Sequence, residues 1–312
     1  MTIPHSLGTM TENYLQGAYP VNGGSANILI NGAVFGDKEL AAAINVLQPG
    51  QKLVKDSVVV AACVGDVPDL AGFHTDVSGS VQVSYGGPVS TLRQPWDIFS
   101  MNDAAIRSDI ALVTNGRKSA RVPEGVTVVG PEALFIEEGA RIYPGCVINA
   151  AAGPVYIAAT AEVLEGTLVR GPLAVCDHAV VKMGAKIYGA TTIGPGCKVG
   201  GEINNAIFFA NSNKSHDGYL GNAVIGEWCN LGADTNCSNL KNNYDEVKIW
   251  SEAKGAMVST GLIFCGLLMG DHSKCGINTM FNTGTVVGVS CNIFGAGFPD
   301  KFVPSFSWGG QR

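Results

Sequence analysis

Long apolar runs, clustered basic charge and paired-cysteine spacing are all missing from this sequence, and each absence excludes something. The longest apolar stretch, GLIFCGLLMG at 261–270, is too short to span a bilayer. The opening MTIPHSLGTM has neither the basic nor the apolar region of a signal peptide, so the cytoplasm is the expected compartment. Lysine and arginine total 20 against 26 acidic residues and are scattered, which leaves no electrostatic footprint for nucleic acid or an anionic membrane. Nine cysteines are an odd number without zinc-site spacing, so they read as compact core residues in a reducing compartment, and no metal site is expected. Before residue 92 there is no glycine-rich, basic L-x-A-G-x-G-T-R loop of the kind that cradles a triphosphate, and NGG at 22–24 reads as a plain turn.

What is present is a count of six. Aliphatic residues return at Ile136, Ile142 and Ile148, then after a slip of three at Ile157, Val163, Val169, Val175, Val181, Ile187, Ile193 and Val199. Four places after most of them sits a small residue: Ala140, Cys146, Ala152, Ala161, Thr167, Ala179, Ala185, Thr191 and Cys197. An amphipathic helix has a period of 3.6 and cannot produce this pattern. One bulky and one small inward position per hexad, with glycine or polar residues between, describes short strands separated by bends. Three such strands close one coil, and coils stack. The count resumes at Ile225 and Leu231, and again at Ile263, Met269, Cys275, Phe281, Val287 and Ile293, with Gly297 in the last small slot. The fold class is therefore mainly β, a parallel β-helix preceded by a small α/β domain.

Two breaks interrupt the count. Between Val199 and Ile225 the inward slot falls on Asn213, which a dry core does not accept, so the chain is expected to leave the prism there. The charged and aromatic segment 241–260 is expected to protrude as a loop. Residues 1–92 lack the six-period. ILINGAVFG reads as a buried strand and turn, DKELAAAINVL as a helix capped by Asp37, and KDSVVVAACVG as another strand. The boundaries predicted are an α/β domain over 1–92, a helical connector over 93–120 and the β-helix over 121–312.

The first break carries SHDGYLGNAVIG, residues 215–226. Here stands the motif H-x-x-Y-L-G-x-A-x-I-G, as His216, Tyr219, Leu220, Gly221, Ala223, Ile225 and Gly226. Together with the hexads, the PWDIF connector at 95–99 and GADTNCSNLKNNYDEVKIW at 232–250, it resembles the bifunctional bacterial family that joins glucosamine-1-phosphate N-acetyltransferase to N-acetylglucosamine-1-phosphate uridyltransferase, in its divergent branch. The resemblance implies a left-handed β-helix, a homotrimer with sites between subunits, and acetyl-CoA as co-substrate, with a magnesium requirement left open. It also implies His216 as the general base that deprotonates a sugar amine, Tyr219, Asn230 and Asn239 as acceptor contacts, and Ala233 and Ser259 along the coenzyme arm. The chemistry is coherent, because an ammonium cannot attack a thioester before losing a proton, and imidazole titrates near the working pH.

Departures from that family are concentrated at the sugar phosphate. Basic side chains expected one coil before the histidine are replaced by GGEINNAIFFANSNK at 200–214, leaving Lys214 as the nearby cation, with Lys186, Lys198 or Lys241 as other substitutes. The front half resembles part of a nucleotidyltransferase without its phosphate loop, and no uridyl transfer by this chain alone is expected. A second reading is a sugar-1-phosphate nucleotidyltransferase using the β-helix as an oligomerisation scaffold, and a third is a non-enzymatic scaffold or sugar sensor. His272, at a hexad corner, is the rival base. His178 at the same corner place and Asp217 and Asp234 at bends read as solvated, and His5 and His74 carry no signal. Exposed apolar residues in FFA at 208–210 and in FVPSFSW at 302–308 are expected to support trimerisation.

Overall fold

A computed structural model describes residues 26–65 and 77–309. NGG at 22–24, His5 and His74 lie outside the described residues. The chain divides into two compact units, Met1–Arg93 and Gln94–Arg312. Among the described residues no helix is long and apolar enough to cross a membrane.

In the first unit, helix α1 (Lys38–Asn45) starts where Asp37 accepts a hydrogen bond from Leu40 N at 2.7 Å, which satisfies one of the free amides of the first turn. Its buried Leu40 and Ile44, four residues apart on one face, meet Leu53, Val60 and Cys63 of a four-stranded sheet. The sheet consists of β1 (Asn27–Ile30), β2 (Gln51–Lys55), β3 (Val58–Val64) and β4 (Val81–Ser84) in the order β1-β3-β2-β4. Only the β2–β4 pair is parallel. Strand β1 is not the buried strand the sequence suggests. It is an edge, with Ile30 62% exposed, and its alternating pattern fits a strand covered on one face.

The second unit is a parallel β-solenoid with three faces. Along one face run two-residue strands that each present one residue inward: Ile142, Val163, Val181, Val199, Lys214, Leu231, Cys275 and Ile293. The bulky positions of the hexad count are buried throughout 136–199, and Cys146, Ala161, Thr167, Ala179, Ala185, Thr191 and Cys197 fill the small slots. All nine cysteines are free.

Several positions fall otherwise than counted. Ala152 lies exposed within the slip of three, Ile263 is 47% exposed, Gly297 is exposed, and Phe208, expected on the surface, is buried at 1%. The largest difference concerns the first break, where the chain does not leave the prism. Val163, Val181 and Val199 stack at intervals of 18 residues, Lys214 follows Val199 after 15, and Asn230 follows Asn213 after 17. Shortened corners absorb the difference. Ser212 and Lys214 therefore point inward, and Asn213 faces outward, half-buried. Strands Glu202–Phe208 and Tyr219–Ile225 run through a corner from one face to the next, bending at Asn205 (φ 50°) and Asn222 (φ 48°).

Two helices and an excursion cover the outer side of this unit. Helix α2 (Asp97–Ser100) contributes Phe99 to a second core with Trp96, Ile207, Val224, Val247, Ile249, Cys265 and Leu268. Helix α3 (Asn102–Thr114) packs Ile106 and Ile110 on Ala190, and Asn102 Nδ2 donates to Ala190 O at 2.8 Å. The segment expected to protrude carries an antiparallel hairpin, Lys248–Ser251 with Ala256–Ser259.

Candidate active site

The corner that carries His216 is held from within. Lys214 is 1% exposed, and its Nζ donates to His216 O at 2.7 Å and Asp217 O at 3.0 Å. Burial lowers the Lys214 pKa to about 8, against the opposing pull of nearby anionic groups led by Asp217. The corner is also held from the next coil. A side chain at Gly218 (φ 111°) would meet Thr235 O at 2.2 Å, and Asn236 Oδ1 accepts from Tyr219 N at 2.8 Å. The His216 side chain is exposed, and its imidazole makes no hydrogen bond or ion pair with any described residue. A fixed main chain with a free ring suits a group that must meet a ligand. Lys214, expected among the sugar-phosphate contacts, has its ammonium engaged by two carbonyls inside the prism.

On the adjoining face Tyr219 stands half-buried. Gly221, two residues on, leaves the space the tyrosine ring occupies: a Cβ there would lie 2.2 Å from Tyr219 Oη and 2.8 Å from Asn239 Nδ2. Asn239 Nδ2 donates to Tyr219 Oη at 2.9 Å and to Asn222 Oδ1 at 2.8 Å. With the Asn205 amide oriented to satisfy both its ends, its oxygen accepts from Asn222 Nδ2 and its nitrogen donates to Ala190 O and Phe99 O. A ladder of three asparagines thus ties Tyr219 to helix α2. Desolvation raises the Tyr219 pKa, so the hydroxyl stays protonated at neutral pH. Beside the ladder lies an open cavity of about 400 Å³, lined by Ser100, Asp103, Asn204, Asn205, Asn222 and Phe264 among others.

The other predicted residues lie at varying removes from this corner. Asn230 is exposed on the face that carries Asn213 and lies between Asn213 and Lys274 in the ladder. Ala233 belongs to the corner stacked directly on that of His216, and its carbonyl accepts from Asn278 N at 2.8 Å. Ser259 is exposed on the excursion hairpin, where its hydroxyl donates to Glu246. His272 stands at a different corner, with φ 59°, its ring parallel to Trp228 at 6.4 Å; His178 takes the same left-handed conformation. Sequence reasoning missed Asn204, Asn205 and Asn222. The one available signal was a glycine two residues after a motif tyrosine, which marks the side of the strand kept clear for the ring.

The geometry defines a β-solenoid with an exposed imidazole on a fixed corner beside a tyrosine–asparagine pair. Among known proteins, the model of the family described as "Sugar nucleotidyl transferase" matches residues 2–118. The bifunctional protein GlmU of Micrococcus luteus is 29% identical over an alignment of 214 positions that covers 61% of this chain and 42% of that protein. The GlmU of Methanocaldococcus jannaschii is 29% identical over 226 residues, 72% of this chain and 48% of its own length. The bifunctional sugar-1-phosphate nucleotidylyltransferase/acetyltransferase of Sulfurisphaera tokodaii is 27% identical over 212 residues, 68% and 46% respectively. The chain therefore resembles the bifunctional GlmU proteins, carries a front region similar to sugar nucleotidyl transferases, and spans less than half the length of these relatives.

Proposed function

We propose that this chain is an acyl-CoA-dependent N-acetyltransferase acting on an amino-sugar phosphate of the glucosamine-1-phosphate type. The observation that carries the reading is the exposed, unpaired His216, in its motif, on a corner immobilised by Lys214 and adjoining the Tyr219–Asn239 pair. The sugar amine attacks the thioester carbonyl of acetyl-CoA, and its proton passes to His216. The tetrahedral oxyanion, stabilised by a fixed donor, collapses to the amide and expels the coenzyme thiolate, which takes up a proton. No covalent enzyme intermediate is needed. Tyr219, Asn230 and Asn239 contact the acceptor, and Ala233 and Ser259 the coenzyme arm. Lys214 acts one step back, holding the main chain of the base. A homotrimer in the cytoplasm is part of the proposal, supported by the exposed Phe209, Phe306 and Trp308.

The direct test is release of free thiol from acetyl-CoA in the presence of a panel of amino-sugar phosphates. Thiol release that requires both substrates is expected; its absence with every acceptor would overturn the reading. Within it, Gly221→Ala is expected to raise KM for the acceptor at least tenfold and leave KM for acetyl-CoA unchanged, because the new methyl displaces the tyrosine ring from Asn239. Steady-state kinetics with each substrate varied in turn checks this.

The match of residues 2–118 to sugar nucleotidyl transferases favours a second activity, nucleotidyl transfer to a sugar 1-phosphate. Pyrophosphate release from a nucleoside triphosphate and sugar 1-phosphate would establish it independently of thiol release.

A further inference from the structure

A second polar cleft, of about 350 Å³, opens between the start of the excursion and the last coils. Ser238, Lys241, Asn242, Asn243, Asn282 and Lys301 line it. Ser238 and Leu240, both on its wall, flank Asn239, whose own side chain reaches away to Tyr219.

The donors here outnumber what the chain uses. Lys241 Nζ gives one hydrogen bond, to Glu246 O, and keeps two protons. Lys301 Nζ makes no hydrogen bond or ion pair with any described residue. Asn282 Oδ1 is occupied by Thr283 N at 2.8 Å, which fixes the amide and leaves Nδ2 without a partner among the described residues. Of the carboxylates of the excursion, Asp245 is engaged by Asn243 Nδ2 and Glu246 by the Ser259 hydroxyl. Burial and then the Lys241 charge depress the Lys301 pKa, and no carboxylate opposes them. Two ammonium groups that repel each other across a roomy polar cleft are stabilised by an anion of matching charge.

We propose that this cleft is a phosphate-binding site, with Lys241 and Lys301 as its charges and Asn282 Nδ2 as a neutral donor, and that it takes a phosphate monoester. The idea deepens the transferase reading and rests on it for the ligand's identity. It supplies the cationic anchor that the segment before His216 lacks, on residues about 60 apart in sequence. The phosphate belongs either to the acceptor sugar or to the coenzyme, and both sources present the same dianion.

Binding of four ligands to the full chain, measured by titration calorimetry, separates these sources: glucosamine 1-phosphate against glucosamine, and coenzyme A against its 3′-dephospho form. In the unsubstituted protein one phosphorylated member is expected to bind at least tenfold more tightly than its phosphate-free counterpart. Lys301→Gln and Lys241→Gln are each expected to reduce that preference at least tenfold, leave the phosphate-free ligand unaffected, and preserve the melting temperature. Lys118→Gln, an exposed lysine outside the cleft, is the control. Loss of preference for the sugar pair assigns the cleft to the acceptor, and loss for the coenzyme pair assigns it to the coenzyme. Unchanged preferences in folded Lys241→Gln and Lys301→Gln, or no preference in the unsubstituted chain, overturn the proposal. Thiol release is scored separately, so an active transferase with an indifferent cleft is distinguishable from a phosphate-binding protein without transferase activity.

Discussion

Replacing His216 by alanine is expected to lower acetyl transfer about 10²- to 10⁴-fold, the usual contribution of a positioned general base. The melting temperature should change by no more than about 1–2 °C, as for a surface substitution worth about 0.5 kcal/mol in a chain of this size. Both halves of that expectation follow from how the corner is built. The imidazole is exposed and makes no contact that folding needs, while Lys214 holds the main-chain carbonyl of residue 216, which alanine retains. Gly218 and Asn236 fix the far end of the corner without using the side chain of residue 216. The comparison variant is His272→Ala, on another corner and stacked on Trp228, which should lose some local packing and little turnover. Equal turnover in His216→Ala and the unsubstituted enzyme would reject this base, and a large loss confined to His272→Ala would move the chemistry to the other corner.

The solenoid was legible because its rule is local. Each hexad presents one bulky and one small inward position, and the residues at 136–199 obey that demand almost without exception. The count failed where corners shorten. Fixed steps of six cannot follow coils of 15 and 17 residues, and a charged residue does not announce itself as inward, so the count assigned the slot to Asn213 when Lys214 holds it. Burying that lysine depends on two carbonyls contributed by residues 216 and 217, a local return of the chain that hydrophobic pattern does not encode. Ile263 failed for the opposite reason. It falls in phase by coincidence just past the excursion, where the side chain faces solvent. In the front unit the Asp37 cap was readable because capping is short-range. Strand β2 (QKLVK) was missed because five residues with two lysines show no clean alternation.

The candidate site divides along the same line. The motif residues 216–226 lie on one continuous strand and corner, so their proximity was implied by the sequence itself. The contact of Tyr219 with Asn239 spans a coil, and the asparagine ladder depends on left-handed conformations at 205 and 222 that place two amides one above the other. Asparagine tolerates that conformation better than most residues, but sequence alone does not say which asparagines adopt it. The pairing of Lys241 with Lys301 is more remote still, since it requires the excursion to fold back toward the last coils.

The buried lysine gives the second large effect, in stability against pH. An ordinary lysine titrates near 10.5, and Lys214 in the fold near 8. Between those values the unfolded chain keeps a proton that the native chain has released, so this residue makes the protein more stable as pH rises from about 8 to 10.5. Below 8 both states are protonated, and the native state bears the full cost of a buried charge, about 3 kcal/mol. The buried thiols act in the opposite direction: burial pushes Cys197 up to about 11 and Cys229 up to about 12, so native thiols stay protonated while unfolded ones ionise, and stability falls with pH. The raw profile mixes these effects, and a difference profile separates them. Lys214→Met fills the slot with an apolar chain of similar length and leaves every thiol in place. Subtracting its unfolding free energy from that of the unsubstituted protein, by denaturant titration at several pH values from 7 to 10.5, should leave a rise of about 3 kcal/mol confined to the upper part of that range. A flat difference would mean that the amine is not desolvated as the fold implies. The same variant should lose at least tenfold in kcat while remaining folded, because the carbonyls of residues 216 and 217 lose their shared donor and the corner that presents the imidazole loosens. Lys214→Arg is expected to restore little, since a planar guanidinium does not fit a slot shaped for an aliphatic chain with a compact head.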